Sequence, residues 1–131
     1  MPLALPALLT LLAVLWYVIV GFNVGRARTK YKVAAPATTG HPDFERAFRV
    51  QMNELEQLVA FLPAMWIYAT LGNPRWAAIA CGMWLAGRIL YAIGYWSAAE
   101  KRSIGFMISV TAMAMTWTAA LAAAIRALTI A

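Results

Sequence analysis

The chain has 131 residues, of which 63% are hydrophobic and 12% are charged, whereas soluble domains average roughly 45–50% and 25%. A chain this short cannot bury that excess in a core, and its hydrophobicity argues against disorder, so neither a soluble domain nor an unfolded chain fits. The composition instead predicts a membrane protein with about four spans of roughly 20 apolar residues each.

The charged minority is mostly basic, with 11 Lys and Arg residues against 5 Asp and Glu residues and a formal net charge of +6. On a soluble protein this balance would suggest nucleic acid. Here the cations lie mostly between apolar runs, so we expect them to reflect topology, and no nucleic-acid partner is expected. The lone cysteine, Cys81, lies in an apolar stretch, which predicts a packing residue and neither a disulfide nor a metal site.

The first apolar run, residues 3–24, is longer than the apolar part of a signal peptide and has no basic segment before it, so we interpret it as a retained span. Residues 25–32 carry cations at alternate positions, and residues 35–42 are rich in Pro, Gly and Thr. Together they predict a loop. Asp43 is the expected N-cap of the second helix.

Three further spans are predicted, over residues 44–71, 76–96 and 104–130. The second is unusual because its first half, up to Gln57, is rich in polar residues. The third contains Arg88 near its middle and is followed by a short polar loop. Since only helices satisfy the backbone of such segments within lipid, the predicted fold is an all-α integral membrane four-helix bundle in a single domain, residues 1–131.

The distribution of Lys and Arg predicts the orientation of the bundle. Eight of these residues belong to the first and third loops and the start of the second helix, whereas Arg75 and Arg126 lie on the other side. Because cytoplasmic loops carry the excess of Lys and Arg, the first and third loops are expected in the cytoplasm and both termini on the opposite side. The short termini and the alanine-rich fourth span favour a bacterial inner membrane over the endoplasmic reticulum.

The second helix has a polar face near the predicted cytoplasmic boundary. A step of 100° per residue places five polar side chains within an arc of about 100°, namely Arg46, Arg49, Asn53, Glu56 and Gln57. Gln51 and Glu54 face elsewhere. This face is either solvated, because the helix protrudes from the membrane, or buried against a partner or a polar ligand.

A second polar column is predicted on the third helix and the loop after it. Spacings of 3, 4 and 7 residues bring four side chains within about 60° of one another, namely Arg88, Tyr91, Tyr95 and Arg102. Arg88 lies so far inside the span that it must snorkel, pair or line a cavity, and Glu54 or Glu56 is a suitable partner. The two columns together predict an electropositive pocket for a small, mainly anionic ligand that carries an amine.

Three stretches of the chain carry a resemblance to a known family. They are FERAFRVQMNELE (residues 44–56), TTGHPD (residues 38–43) and RILYAIGY (residues 88–95), the last followed by Arg102. In these stretches the sequence resembles the MAPEG family, the membrane-associated proteins of eicosanoid and glutathione metabolism. It is most similar to the branch of the microsomal glutathione transferases and the cysteinyl-leukotriene synthase. The similarity extends over essentially the whole chain.

The resemblance implies a homotrimer that binds glutathione, as its co-substrate and without a metal, between neighbouring subunits on the cytoplasmic side. The residues that match the family's glutathione contacts are Arg28, Arg49, Gln51, Asn53, Glu56, Tyr91 and Tyr95. The matching residue for thiol activation is Arg102. We add Arg88 to the glutathione site because of its place in the polar column on the third helix.

The implied activity is that of a glutathione transferase, with a glutathione-dependent peroxidase as a further option. Arg102 would stabilise the thiolate electrostatically, and an apolar electrophile or lipid hydroperoxide would arrive from the bilayer through a cleft that includes Met113 and Trp117. Gln57 and Leu90 differ from the leukotriene synthase, so its lipid specificity is not expected. The alternatives are a non-catalytic lipid-binding or scaffold protein of the same fold and a small channel or transporter subunit that uses Arg88.

Overall fold

Four long helices account for most of residues 1–131, which the computed structural model describes throughout. They are α1 (Ala4–Tyr31), α2 (Pro42–Leu71), α3 (Pro74–Ser97) and α4 (Ser103–Ile130), with a 3-10 helix (Ala99–Arg102) between α3 and α4. Short connections make successive helices antiparallel, and α2 contacts the other three. The all-α four-helix prediction is confirmed, and the last three helices begin and end within two residues of the predicted positions.

Three of the helices, α1, α3 and α4, are long and apolar enough to cross a membrane. The chain is therefore an integral membrane protein. α2 is less hydrophobic because its first half carries six charged residues. Its 30 residues nevertheless extend about 45 Å at 1.5 Å per residue, so its own crossing stays a prediction.

The first helix is longer than predicted, because it continues through the basic segment. Residues 25–31, expected in a loop, form the last turns of α1. Arg, Lys and Ala are good helix formers, and cations near a helix C-terminus interact favourably with its dipole. The helix ends at Tyr31, and Lys32 after it has a left-handed φ of 57°, so the connection to α2 is confined to residues 32–41.

The N-cap of α2 is His41, and the prediction of Asp43 is wrong. Pro42 takes the first helical position, which its fixed φ favours. The Nδ1 atom of His41 accepts a hydrogen bond from the Asp43 backbone N–H at 3.1 Å. Asp43 instead pairs with Arg46 and accepts a hydrogen bond from the Tyr31 hydroxyl. These contacts tie the start of α2 to the end of α1.

The largest buried apolar cluster lies mainly between α2 and α3. Phe61 packs edge-on against Trp84 with 4.6 Å between ring centroids, and Met65 and Cys81 are buried in the same cluster. Cys81 is therefore the packing residue that the sequence predicts. The cluster joins the apolar halves of the helices and leaves the polar columns at one end.

α3 and α4 approach one another closely at two glycines. A Cβ atom on Gly105 of α4 would clash with the backbone nitrogen of Tyr91, and one on Gly87 of α3 would clash with the backbone nitrogen of Ser109. Small residues allow helix backbones to make such contacts within a membrane. The close approach fixes the position of Tyr91, a member of the predicted polar column, along the axis of α4.

Candidate functional site

The polar end of the bundle consists of the end of α1, the start of α2 and the segment from Tyr95 to Ser103. A continuous group of side chains leads to it from the middle of α2. The Asn53 amide donates a hydrogen bond to the Tyr91 hydroxyl at 2.5 Å, and the Tyr91 and Tyr95 ring centroids lie 5.6 Å apart. The Arg102 guanidinium lies 5.6 Å from the Tyr95 centroid. We call Asn53, Tyr91, Tyr95 and Arg102 the tyrosine string.

Arg102 reaches Tyr95 because the chain turns back sharply after α3. Gly94 lies directly against the Lys101 carbonyl, where a Cβ atom would clash. The Arg102 side chain is exposed and donates a hydrogen bond to the Ala99 carbonyl at 2.5 Å. Since no carboxylate lies within ion-pair distance of it, its charge is available to a ligand.

Arg88 lies behind the tyrosine string and is buried with Glu54 of α2. The Arg88 Nε atom donates to Glu54 Oε2 at 2.9 Å, and each side chain is 1% exposed. The guanidinium also stacks on Tyr91, 4.1 Å from its centroid. Of the two partners predicted for Arg88, the structure has Glu54. Within the chain Arg88 supports the tyrosine string, and its contact with glutathione stays a prediction.

Arg49 lies in a cleft beside the outer end of the tyrosine string. The cleft has a volume of about 310 Å³, and Arg49, Thr38 and Tyr95 are among its lining residues. Arg49 is exposed and forms no ion pair. Glu45 and Arg46 also line the cleft, and Arg46 is already paired with Asp43. The cleft therefore combines the free Arg49 guanidinium with one carboxylate and a phenol, and Arg102 stacks on that same phenol. Such a cleft suits an anion that also accepts hydrogen bonds.

Arg28 has a structural role within the chain and lies away from the tyrosine string. Its Nη1 atom donates to the Ala37 carbonyl at 2.7 Å, and its guanidinium stacks on Phe44, 4.7 Å from the ring centroid. These contacts hold the connection between α1 and α2 against the start of α2. Arg28 remains half-buried, so part of its surface is free for a ligand.

Gln51 and Glu56 form no hydrogen bond or ion pair with the tyrosine string. Gln51 faces α1, where its Nε2 atom would lie 3.1 Å from a Cβ atom on Gly21. Glu56 is exposed and pairs with no cation. Of the nine predicted site residues, the chain therefore brings Arg49, Arg88 and the tyrosine string together. It does not bring Arg28, Gln51 or Glu56 into that group.

An apolar groove of about 350 Å³ lies between α3 and α4. Its position is far from the polar end, because Trp76 at the start of α3 is among its lining residues. Met113 and Trp117, expected in such a cleft, do not line it. The Trp117 indole donates to the Ala60 carbonyl at 2.8 Å, and Met113 packs against the buried cluster. Their part in the entry of an electrophile stays a prediction.

Glu54 contacts this region although it lies outside the predicted site. A helical wheel places it 100° from Asn53, outside the polar arc, yet both residues contact α3 because that helix packs between their directions. The sequence feature that indicates a role for Glu54 is Arg88, a cation in an apolar helix, because a buried cation requires a partner.

Comparisons with known proteins agree with this arrangement. The sequence model described as the MAPEG family matches residues 6–122. The uncharacterized protein sll1147 of Synechocystis is 57% identical over 103 residues, which cover 79% of this chain and 75% of that protein.

Two named enzymes are also similar. Human microsomal glutathione S-transferase 2 is 42% identical over 93 residues, 71% of this chain and 63% of the enzyme. Leukotriene C4 synthase of Cavia porcellus is 39% identical over 100 residues, 76% of this chain and 66% of the enzyme. The match thus spans just under two thirds of each enzyme's length. On the family match over nearly its whole length, the chain belongs to the MAPEG family.

Proposed function

We propose that the protein is a membrane-bound glutathione transferase, which joins the sulfur of glutathione to an apolar electrophile. The observation that carries this proposal is the tyrosine string, which ends in an exposed, unpaired Arg102 beside the Arg49 cleft. Similarity to a microsomal glutathione S-transferase and a leukotriene C4 synthase supports the choice of ligand.

Glutathione fits the charges at the polar end. It carries two carboxylates, one amine and a thiol. Arg49 and Arg102 are unpaired cations that suit the carboxylates and the thiolate. Glu56 lies farther along α2, toward its middle, and is an unpaired carboxylate that suits the amine. Asn53 and Tyr95 add hydrogen-bonding groups for the peptide.

Arg102 would act on the thiol by electrostatic stabilisation of its anion. A free thiol has a pKa near 8.5, so only a few per cent is thiolate at neutral pH. A decrease of about two units corresponds to roughly 2.7 kcal/mol in favour of the anion. Arginine keeps its own proton, so the thiol proton leaves to water. The thiolate then forms the carbon–sulfur bond with the electrophile while another bond of the attacked carbon breaks. The electron pair of that bond leaves with the departing group, or takes up a proton from water where the electrophile undergoes addition.

Arg28 and Gln51 would contact glutathione only in an assembly with a second copy of the chain. Both lie on the α1 side of α2 and not in the tyrosine string. In a homotrimer they would contact glutathione bound by a neighbouring subunit. α3 has a face suited to such an assembly, since a Cβ atom on Gly82 would meet nothing within 4 Å and Ala86 is exposed.

The orientation follows from the concentration of Lys and Arg at the polar end, which we place in the cytoplasm with both chain termini opposite. Glutathione would then enter from water and the electrophile from lipid. A bacterial inner membrane is the proposed location.

The test compares Arg102→Ala with Lys101→Ala, which removes the neighbouring exposed cation. Glutathione is added to each purified protein, and the bound thiolate is measured by its ultraviolet absorbance. Conjugation of an apolar electrophile and reduction of an organic hydroperoxide are assayed alongside binding by calorimetry. We expect Arg102→Ala to lose the thiolate signal and most activity while it retains glutathione, and Lys101→Ala to behave as the wild type.

Three results would contradict the proposal. Equal losses of binding and activity in Arg102→Ala would remove the activating role, because uniform binding effects do not single out the reacting state. A wild-type protein that binds glutathione as the neutral thiol would instead support the non-catalytic alternative. Failure of the wild type to bind glutathione would reject the site itself.

A further inference from the structure

A second polar cavity, of about 350 Å³, lies at the polar end between α1, the start of α2 and the end of α3. Its charged lining residues are Arg26, Lys30, Arg46 and Asp43. No residue of the tyrosine string lines it, and Arg49 belongs to the other cleft. Arg46 lines both cavities, so this cavity adjoins the proposed glutathione site but shares neither Arg49 nor the tyrosine string with it.

The charges of this cavity are not balanced. Its one carboxylate, Asp43, is already engaged, because it pairs with Arg46 and accepts a hydrogen bond from the Tyr31 hydroxyl at 3.0 Å. Arg26 and Lys30 have no carboxylate within ion-pair distance. Three cations and one carboxylate leave an excess of two positive charges around one cavity.

Arg26 and Lys30 also repel one another. They lie four residues apart on α1, a spacing that makes them neighbours on the helix surface. Arg26 donates only to the neutral Asn23 side chain, at 2.8 Å, and the Lys30 nitrogen lies 5.3 Å from the Tyr31 ring centroid. An anion between these two cations would remove the repulsion and supply the missing negative charge.

The same side of α1 continues into its apolar part. Spacings of three and four residues align exposed apolar side chains with the polar ones, in the order Leu12, Leu15, Ile19, Asn23, Arg26 and Lys30. A free anion would use only the polar part of this stripe. An amphiphile with an anionic head and an apolar tail matches its whole length.

We infer that the cavity binds the phosphate headgroup of an anionic phospholipid, whose acyl chain lies along the α1 stripe. Arg26 and Lys30 contact the headgroup, and Leu15 and Ile19 contact the chain. Basic pockets between membrane helices favour anionic headgroups, because each nearby cation adds attraction to their charge. The lipid would anchor α1 to the membrane surface beside the proposed active site.

The experiment measures lipid binding to the purified, delipidated protein by native mass spectrometry. Phosphatidylglycerol and phosphatidylcholine with identical acyl chains are compared, since they differ in net headgroup charge. We expect phosphatidylglycerol to bind preferentially and more weakly as salt is added. The double variant Arg26→Gln/Lys30→Gln should lower its affinity about 30-fold.

The matched control is Lys32→Gln/Lys101→Gln, which removes the same charge from exposed positions at the polar end and should leave lipid binding nearly unchanged. Equal binding of both lipids, or an equal loss in the control, would overturn the inference. So would displacement of the lipid by inorganic phosphate, which would assign the cavity to a free anion. A changed number of subunits in Arg26→Gln/Lys30→Gln with lipid still bound would assign the stripe to contacts between copies.

Discussion

The two arginines at the ends of the α3 column have opposite environments. Arg88 is 1% exposed and bonded to a carboxylate that is equally buried. Arg102 is exposed and bonds only to a backbone carbonyl. Between them, Tyr91 and Tyr95 contact one arginine each through their rings. One cation is thus committed to packing and the other remains free.

The difference shows how a membrane bundle can keep a cation reactive. A buried charge must be paired, because its desolvation is costly, and the pair then has little charge to offer a ligand. A cation at the polar end keeps its hydration and needs no partner in the protein. The buried pair supports the Tyr91 ring, which lies beside the Tyr95 ring on which Arg102 stacks.

The largest expected effect comes from breaking the buried pair. Arg88→Ala leaves Glu54 buried without a partner, which should lower the free energy of unfolding by about 3–5 kcal/mol. Thermal unfolding in detergent measures the loss. The double variant Arg88→Met/Glu54→Leu should recover most of it, because an apolar pair needs no hydrogen-bond partners. A single variant as stable as the wild type would show that the pair does not hold α2 and α3 together.

The next effect tests the close approach that fixes Tyr91. Gly105→Ala places a Cβ atom against the Tyr91 backbone, so we expect a loss of about 2–3 kcal/mol from the forced separation of α3 and α4. Gly82→Ala is the control, since a Cβ atom there meets nothing and alanine favours the helix by about 1 kcal/mol. Similar unfolding temperatures for the two variants would contradict the close packing.

A smaller effect is expected inside the tyrosine string. Asn53→Ala removes the hydrogen bond to Tyr91 and should cost about 1 kcal/mol of stability. Tyr91→Phe removes the same bond from the other side. The double variant should cost less than the sum of the two single ones, as a double-mutant cycle measures. Additive losses would mean that the two groups do not interact.

The smallest effect on stability is expected at the free cation. Arg102→Ala should change the free energy of unfolding by less than about 0.5 kcal/mol, because its side chain is exposed and unpaired. Chemical denaturation in detergent measures this change. A loss comparable to that of Arg88→Ala would erase the contrast between the two arginines.

The sequence predicted most of the fold because apolar runs of span length, broken by turns, leave few alternatives in a membrane. It failed where the local signal was ambiguous. Residues 25–31 were assigned to a loop on their charge, although Arg, Lys and Ala extend a helix readily once an apolar span has nucleated it. The sequence predicts Asp43 as the N-cap because Asp has a stronger intrinsic preference for that position than His. Pro42 instead occupies the first helical position, which makes His41 the N-cap.

The site was harder to predict, since a helical wheel describes one helix at a time. It grouped Asn53 with Arg49, and it placed Tyr91, Tyr95 and Arg102 on one column, as the structure has them. It could not say where α3 packs against α2, so Glu54 was assigned to another face. The clash that an added Cβ atom would meet at Gly105, which fixes Tyr91, depends on α4, and no pattern within α3 reveals it.

Because α1 continues to Tyr31, its helical geometry determines the positions of the cations at the polar end. Arg26, Arg28 and Lys30 lie on a stiff rod, so their distance from the apolar stretch is set by residue count at 1.5 Å per residue. Insertion of one residue after Phe22 would turn all three by about 100°, and both Arg28 contacts would be lost together. A flexible loop would accommodate such an insertion by a change of its conformation, whereas a continuous helix transmits the rotation to every residue after the insertion.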